Sequence, residues 1–136
     1  MVFAAGYPAW KKLAGTQSAS NAMPAADNDG FISIDDFKTL LENNPDSVQL
    51  IDVRDKDEYD AGHFKTAVHL PTNKLEKNVD TLTDEKPIIF VCNSGAKSGE
   101  AFYMLQDLRP DLKKVYFLDA TVKYGSDGTY TIKKTE

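Results

Sequence analysis

The chain has 136 residues of ordinary globular composition, enough for one domain with a sizeable core. Sixteen Lys and Arg against 21 Asp and Glu leave a net charge of −5. That balance argues against a nucleic-acid or anionic-membrane surface, neither of which attracts net negative charge. A single cysteine excludes an intrachain disulfide, and no apolar run approaches the length needed to cross a bilayer.

Residues 1–30 read differently from the rest, and the chain divides into an N-terminal segment and linker, 1–30, and a domain, 31–136. The start carries no basic region followed by an apolar run, so it does not read as a secretory leader. A cytoplasmic location is the default expectation, with export if a leader lies upstream. Thr16 to Asp29 is a linker rich in Ala, Ser and Asn without periodicity. Within it, Ser20-Asn21-Ala22-Met23 could equally be a remnant of cloning ahead of a start methionine. Asp27-Asn28-Asp29-Gly30-Phe31-Ile32-Ser33 invites a calcium reading, but an EF-hand register on Gly30 puts Ala25 first and Asp36 last, where carboxylate and bidentate Glu are needed. The segment reads instead as a turn into a helix, with Ser33 as N-cap and Asp36 as a short-armed capping-box partner. Ile34, Phe37, Leu40 and Leu41 form the apolar face of that helix, and Asn43-Asn44-Pro45 stops it.

Val48 to Val53 is a buried strand with Asp52 and Arg54 at its end, read as an ion pair pinning the strand rather than as substrate contacts. Asp55, with Glu58 three residues on, caps a short helix closed by Gly62. His63 beside that helix reads as structural, and His69 in the short strand Ala67 to Leu70 as packing. After Pro71, Leu75, Val79 and Leu82 are spaced for a weak helix before Pro87. Ile88-Ile89-Phe90-Val91 is a fully buried strand, and a helix follows with Ala101, Phe102, Leu105 and Leu108 on one face. Arg109-Pro110-Asp111 ends that helix, and Val115 to Leu118 is a further strand. Val122 to Ile132 reads as a β-hairpin around Asp127-Gly128. Strands alternating with helices predict an α/β fold with a mainly parallel central sheet flanked by helices on both faces.

Between the Ile88 strand and its helix lies Cys92-Asn93-Ser94-Gly95-Ala96-Lys97-Ser98. A buried core cysteine would not need small residues and a lysine directly behind it. A nucleophile cradle needs both: a helix N-terminus offers unpaired N–H donors and partial positive charge, and a thiol there ionises more readily to the reactive thiolate. The carboxyl end of a strand is also where α/β sheets place their sites.

This loop resembles the active-site loop of rhodanese-like sulfurtransferases, in which Cys is followed by four variable residues and then Arg-Ser. Leu50-Ile51-Asp52-Val53-Arg54, Glu58-Tyr59, Gly62-His63, Ala67 and Leu70-Pro71 resemble the same family's upstream signature. Together they cover about residues 32–119. Lys97 stands where Arg is usual, Phe64 replaces Ile, Thr66 replaces Gly, and the closing Gly-Gly … Ala-Trp is absent after Leu118, where a hairpin stands in place of the family's helix. Val2 to Lys12 resembles that missing end. Two explanations stay open: a remnant of an upstream rhodanese module in a tandem protein, or a segment that returns to complete this domain.

The resemblance implies Cys92 as catalytic nucleophile, with Asn93, Ser94, Gly95, Ala96, Lys97 and Ser98 binding substrate through loop amides and Lys97 neutralising the donor. It implies a small sulfur-containing anion such as thiosulfate as donor, cyanide or a thiol as acceptor, and no metal or organic cofactor. Related phosphatases place Arg after five intervening residues; here that position is Ser98, so the smaller loop favours sulfur transfer. A non-catalytic binding or regulatory module and a protein-partnered persulfide carrier remain open, as do an adjoining rhodanese domain and a homodimer.

Overall fold

The structure is a computed structural model that describes residues 30–83 and 85–134. The readings of residues 1–29, including the linker and most of the calcium-like loop, lie outside the described residues.

The first helix, α1 (Ile34–Asn43), begins where Ser33 Oγ accepts the Asp36 N–H at 3.1 Å and stops at Asn44, whose N–H closes on the Leu40 carbonyl. This is the cap and stop the sequence calls for. Strand β1 (Gln49–Asp52) follows, then α2 (Lys56–Ala61), a two-residue strand β2 (Val68–His69), and α3 (Thr72–Asn78), which runs into a 3₁₀ turn at Val79–Thr81. The buried strand β3 (Ile88–Val91) leads to α4 (Ala96–Leu108), then β4 (Val115–Phe117) and the hairpin β5 (Ala120–Tyr124) and β6 (Tyr130–Lys134).

Strands β1 to β4 form one parallel sheet in the order β2-β1-β3-β4. From β1 the chain crosses to β2 on one side and then to β3 on the other. The order therefore reverses between β1 and β3, and a crevice opens at their carboxyl ends. The register sets Asp52 opposite Val91, which brings Val53 beside Cys92 in the same core cluster. At the far edge Phe31 bridges Phe117, and the Phe117 N–H donates to the Gly30 carbonyl at 2.9 Å. Gly30 has φ +79°, and a Cβ there would fall 2.1 Å from the Phe102 ring, so no other residue fits this entry to the sheet.

Alternation along β3 divides the core. Ile89 and Val91 join Phe37, Leu50, Phe64 and Leu118 on one face, whereas Ile88, Phe90 and Cys92 join Leu75, Phe102 and Leu105 on the other. α1 and the hairpin cover the first face, and α3 with α4 cover the second. The hairpin thus does the work of a covering helix: Ala120, Val122 and Ile132 are buried against the sheet. Phe64 lies at this seam, edge-on to Phe37, Tyr124 and Tyr130. One expectation needs correcting. Leu108 does not join the buried face of α4 but is 42 % exposed. The chain leaves the helix at Arg109, and Leu112 rather than Leu108 returns to the core.

Phe64→Ala should lower the unfolding free energy by about 3–5 kcal/mol through lost transfer energy and a residual cavity. Val68→Ala, at a position 65 % exposed, should move it by less than about 0.5 kcal/mol. Urea denaturation of the two variants checks both values.

Candidate active site

Strand alternation turns Cys92 away from solvent, toward the start of α4, and the residue is 1 % exposed. The chain then reverses through Asn93 and Ser94, both exposed, to Gly95. Gly95 has φ +90°, and a Cβ there would lie 2.4 Å from the Asp119 carboxylate. Only glycine permits this tight return into the helix. As a result the Gly95 N–H reaches the sulfur at 3.0 Å and the Ser98 N–H at 3.4 Å. The Ser98 hydroxyl lies 3.4 Å from Sγ and also donates to the Leu118 carbonyl at 3.2 Å. A hydroxyl rotates, so Ser98 can accept from a thiol or turn its proton toward a thiolate. These donors, at the amino end of a 13-residue helix, are what an anionic sulfur requires.

The loop carries its own tethers. The Val122 N–H donates to the Asn93 carbonyl at 2.9 Å, and the Tyr124 hydroxyl donates to the Cys92 carbonyl at 2.8 Å. Burial, and after it the Asp52 charge, push the Tyr124 phenol well above the usual tyrosine range. The shift favours the neutral, protonated phenol that donates to the Cys92 carbonyl. The sequence announces the hairpin but not that its inner face reaches the cysteine loop. The available signal is the alternation Ala120, Val122, Tyr124, which puts the tyrosine on the same face as two core residues.

Asp52 and Arg54 form a fork-to-fork pair, with Nη2 to Oδ2 at 2.7 Å and Nε to Oδ1 at 3.0 Å, both side chains almost fully buried. Arg54 Nη2 also donates to the Gly62 carbonyl at 2.6 Å, and its guanidinium lies 3.8 Å over the Tyr124 ring. Burial works against the guanidinium charge, but the Asp52 hydrogen bonds and charge outweigh it and hold Arg54 above its ordinary range. The pair has the geometry of a strand-end clasp and makes no contact with the sulfur among those described. His63 stacks on Tyr59 at 3.9 Å, and His69 Nε2 meets the Arg54 carbonyl at 2.7 Å, both in packing positions.

Of the loop residues singled out, Cys92, Gly95 and Ser98 converge on the sulfur, and Ser94 and Ala96 are exposed. Asn93 and Lys97 turn instead to α2. Asn93 Nδ2 donates to Glu58 Oε2 at 3.1 Å, and Lys97 Nζ lies 3.3 Å from Asp55 Oδ1. Asp55 and Glu58, legible in sequence as a capping box, therefore also border the site.

Residues 33–123 match the model of the Rhodanese-like domain family. Among curated proteins, the chain is 31 % identical over 84 residues to YrkF of Bacillus subtilis, provisionally named a sulfur carrier protein, covering 62 % of this chain and 43 % of that one. It is 32 % identical over 71 residues to the thiosulfate sulfurtransferase GlpE of Coxiella burnetii, covering 52 % and 64 %. The chain thus spans roughly half the length of the curated relatives it matches. A solved Rhodanese-like domain from Anabaena superposes with a TM-score of 0.57 at 21 % identity, covering 66 % of this chain and 67 % of that one, a likeness of fold. The BH2092 protein of Bacillus halodurans superposes with a TM-score of 0.53 at 27 % identity, covering 67 % and 66 %.

Removing the buried clasp from one side should be costly. Asp52→Ala leaves a desolvated guanidinium without its carboxylate, and the unfolding free energy should drop by about 3–5 kcal/mol. A chemical-denaturation midpoint close to that of the parent protein would show the pair to be dispensable.

Proposed function

The chain belongs to the Rhodanese-like domain family, and from that premise we propose that it is a sulfurtransferase working through a persulfide on Cys92. The observation that carries this reading is the sulfur itself, held at the carboxyl end of β3 by the Gly95 and Ser98 amides. In the first half-reaction the Cys92 thiolate attacks the outer sulfur of thiosulfate. A new S–S bond forms to Sγ, the donor's S–S bond breaks, and sulfite leaves with the electron pair. In the second, cyanide or a thiolate attacks the outer sulfur of the persulfide, and Sγ leaves again as thiolate. Splitting one transfer into two displacements is the advantage of a covalent intermediate. The N–H donors offset negative charge on the sulfur in each resting state and cost no reorganisation when it changes hands.

The Lys97 ammonium stands at the mouth, half-exposed, and supplies charge to the donor anion without the two-pronged grip of an arginine. Asn93, Ser94 and Ala96 complete the rim through which donor and acceptor reach the buried sulfur. The kinship with a protein provisionally named a sulfur carrier favours one second reading, in which Cys92 takes up sulfur and passes it to a protein partner rather than to cyanide.

Incubation with thiosulfate should add one sulfur atom to the intact mass. Cyanide or dithiothreitol should remove it, and Cys92→Ser should abolish both the adduct and turnover. Hydrolysis of small aryl phosphates should stay at background. A mass unmoved by several sulfane donors would point to a non-catalytic module. Uptake without turnover on cyanide would favour the carrier, and robust Cys92-dependent phosphate hydrolysis would overturn sulfur transfer.

A further inference from the structure

Four ion pairs occur among the described residues. Three are local: Asp52 with Arg54, Lys56 with Asp60, and Arg109 with Asp111. The fourth, Lys97 with Asp55, joins residues 42 positions apart and spans the crevice from the cysteine loop to the start of α2. The Asn93–Glu58 contact runs beside it, across 35 positions. Lys97 lies in the first turn of α4, which contains no acidic residue, so its charge opposes the helix dipole there. Asp55 offsets that conflict from another element. The same ammonium is the cation available at the mouth for a donor anion, so the carboxylate and the donor call on one charge.

On the sulfurtransferase reading above, we propose that Asp55 is a positioning residue that acts through Lys97 as its built-in counter-ion, so that an anionic sulfur donor binds by displacing the Asp55 carboxylate. Donor selectivity follows. A small dianion such as thiosulfate competes with a resident carboxylate, whereas a less charged sulfane donor does not need the ammonium and is not held back. Asp55 thereby weakens binding of dianions without touching the sulfur.

Asp55→Asn tests this, because asparagine keeps an oxygen able to cap α2 while the charge is lost. With thiosulfate and cyanide at low salt, the apparent KM for thiosulfate should fall about two- to fivefold, the range of an exposed ion pair, with kcat unchanged. The gain should vanish in a Lys97→Ala background and shrink as added salt screens the pair. An unchanged or raised KM, or an equal gain without Lys97, overturns the proposal. Thiosulfate binding to the Cys92→Ser protein, followed by the amide shifts of Gly95 and Ser98, separates this claim from the catalytic one. Asp55→Asn should tighten that Kd by the same factor even if turnover is never observed. Equal Kd values with and without the Asp55 charge, or no binding in either form, sink the proposal, whereas failure of sulfur uptake alone sinks only the sulfurtransferase reading.

Discussion

The buried guanidinium of Arg54 is the contact on which the site end of the fold depends. A charge with almost no exposure is tolerable only when it is paired and its donors are satisfied. Arg54 meets that demand by reaching in three directions: to Asp52 at the end of β1, to the Gly62 carbonyl at the end of α2, and onto the Tyr124 ring in the hairpin. Its own carbonyl meets His69 of β2. Four elements are thereby fixed to one residue, three of them through its side chain, directly beside the strand that leads into Cys92. The energy of such a pair against an apolar substitute is small or even unfavourable. Its value here lies in geometry, since each partner is in only one place when all are satisfied.

The cysteine loop is the second consequence of that arrangement. A thiol at 1 % exposure would be inert if apolar groups alone surrounded it. Two amides and a serine hydroxyl face this one, and a left-handed glycine makes the approach sterically feasible. The tether from Tyr124 to the Cys92 carbonyl holds the loop from behind. The surroundings of the buried Cys92 thus combine apolar core with donors aimed at the sulfur.

The hairpin shows how a fold absorbs a departure at its end. Two short strands replace a covering helix, yet Val122 and Ile132 bury against the same face of the sheet. Strand β5 also supplies two of the bonds that support the loop, from the Val122 N–H and the Tyr124 hydroxyl. What covers the core here also buttresses the site, so changes in the tail reach the cysteine without any contact with substrate.

The sequence by itself determined the element order, the caps at Ser33 and Asp55, the buried strand before Cys92 and the hairpin, because each is written in local periodicity and turn chemistry. It also singled out Cys92 as the candidate nucleophile, from the small-residue loop between an apolar strand and a helix and from the resemblance of that loop to a known active-site loop. Pairings across the chain were not legible in it. That Lys97 faces Asp55, that Glu58 holds Asn93, that Tyr124 supports the Cys92 carbonyl and that Leu112 displaces Leu108 from the core were decided by tertiary structure. The physical reason is range. Caps and strand patterns arise between residues a few positions apart, whereas these contacts exist only once the parallel register of β1 and β3 and the docking of the hairpin have brought distant segments together.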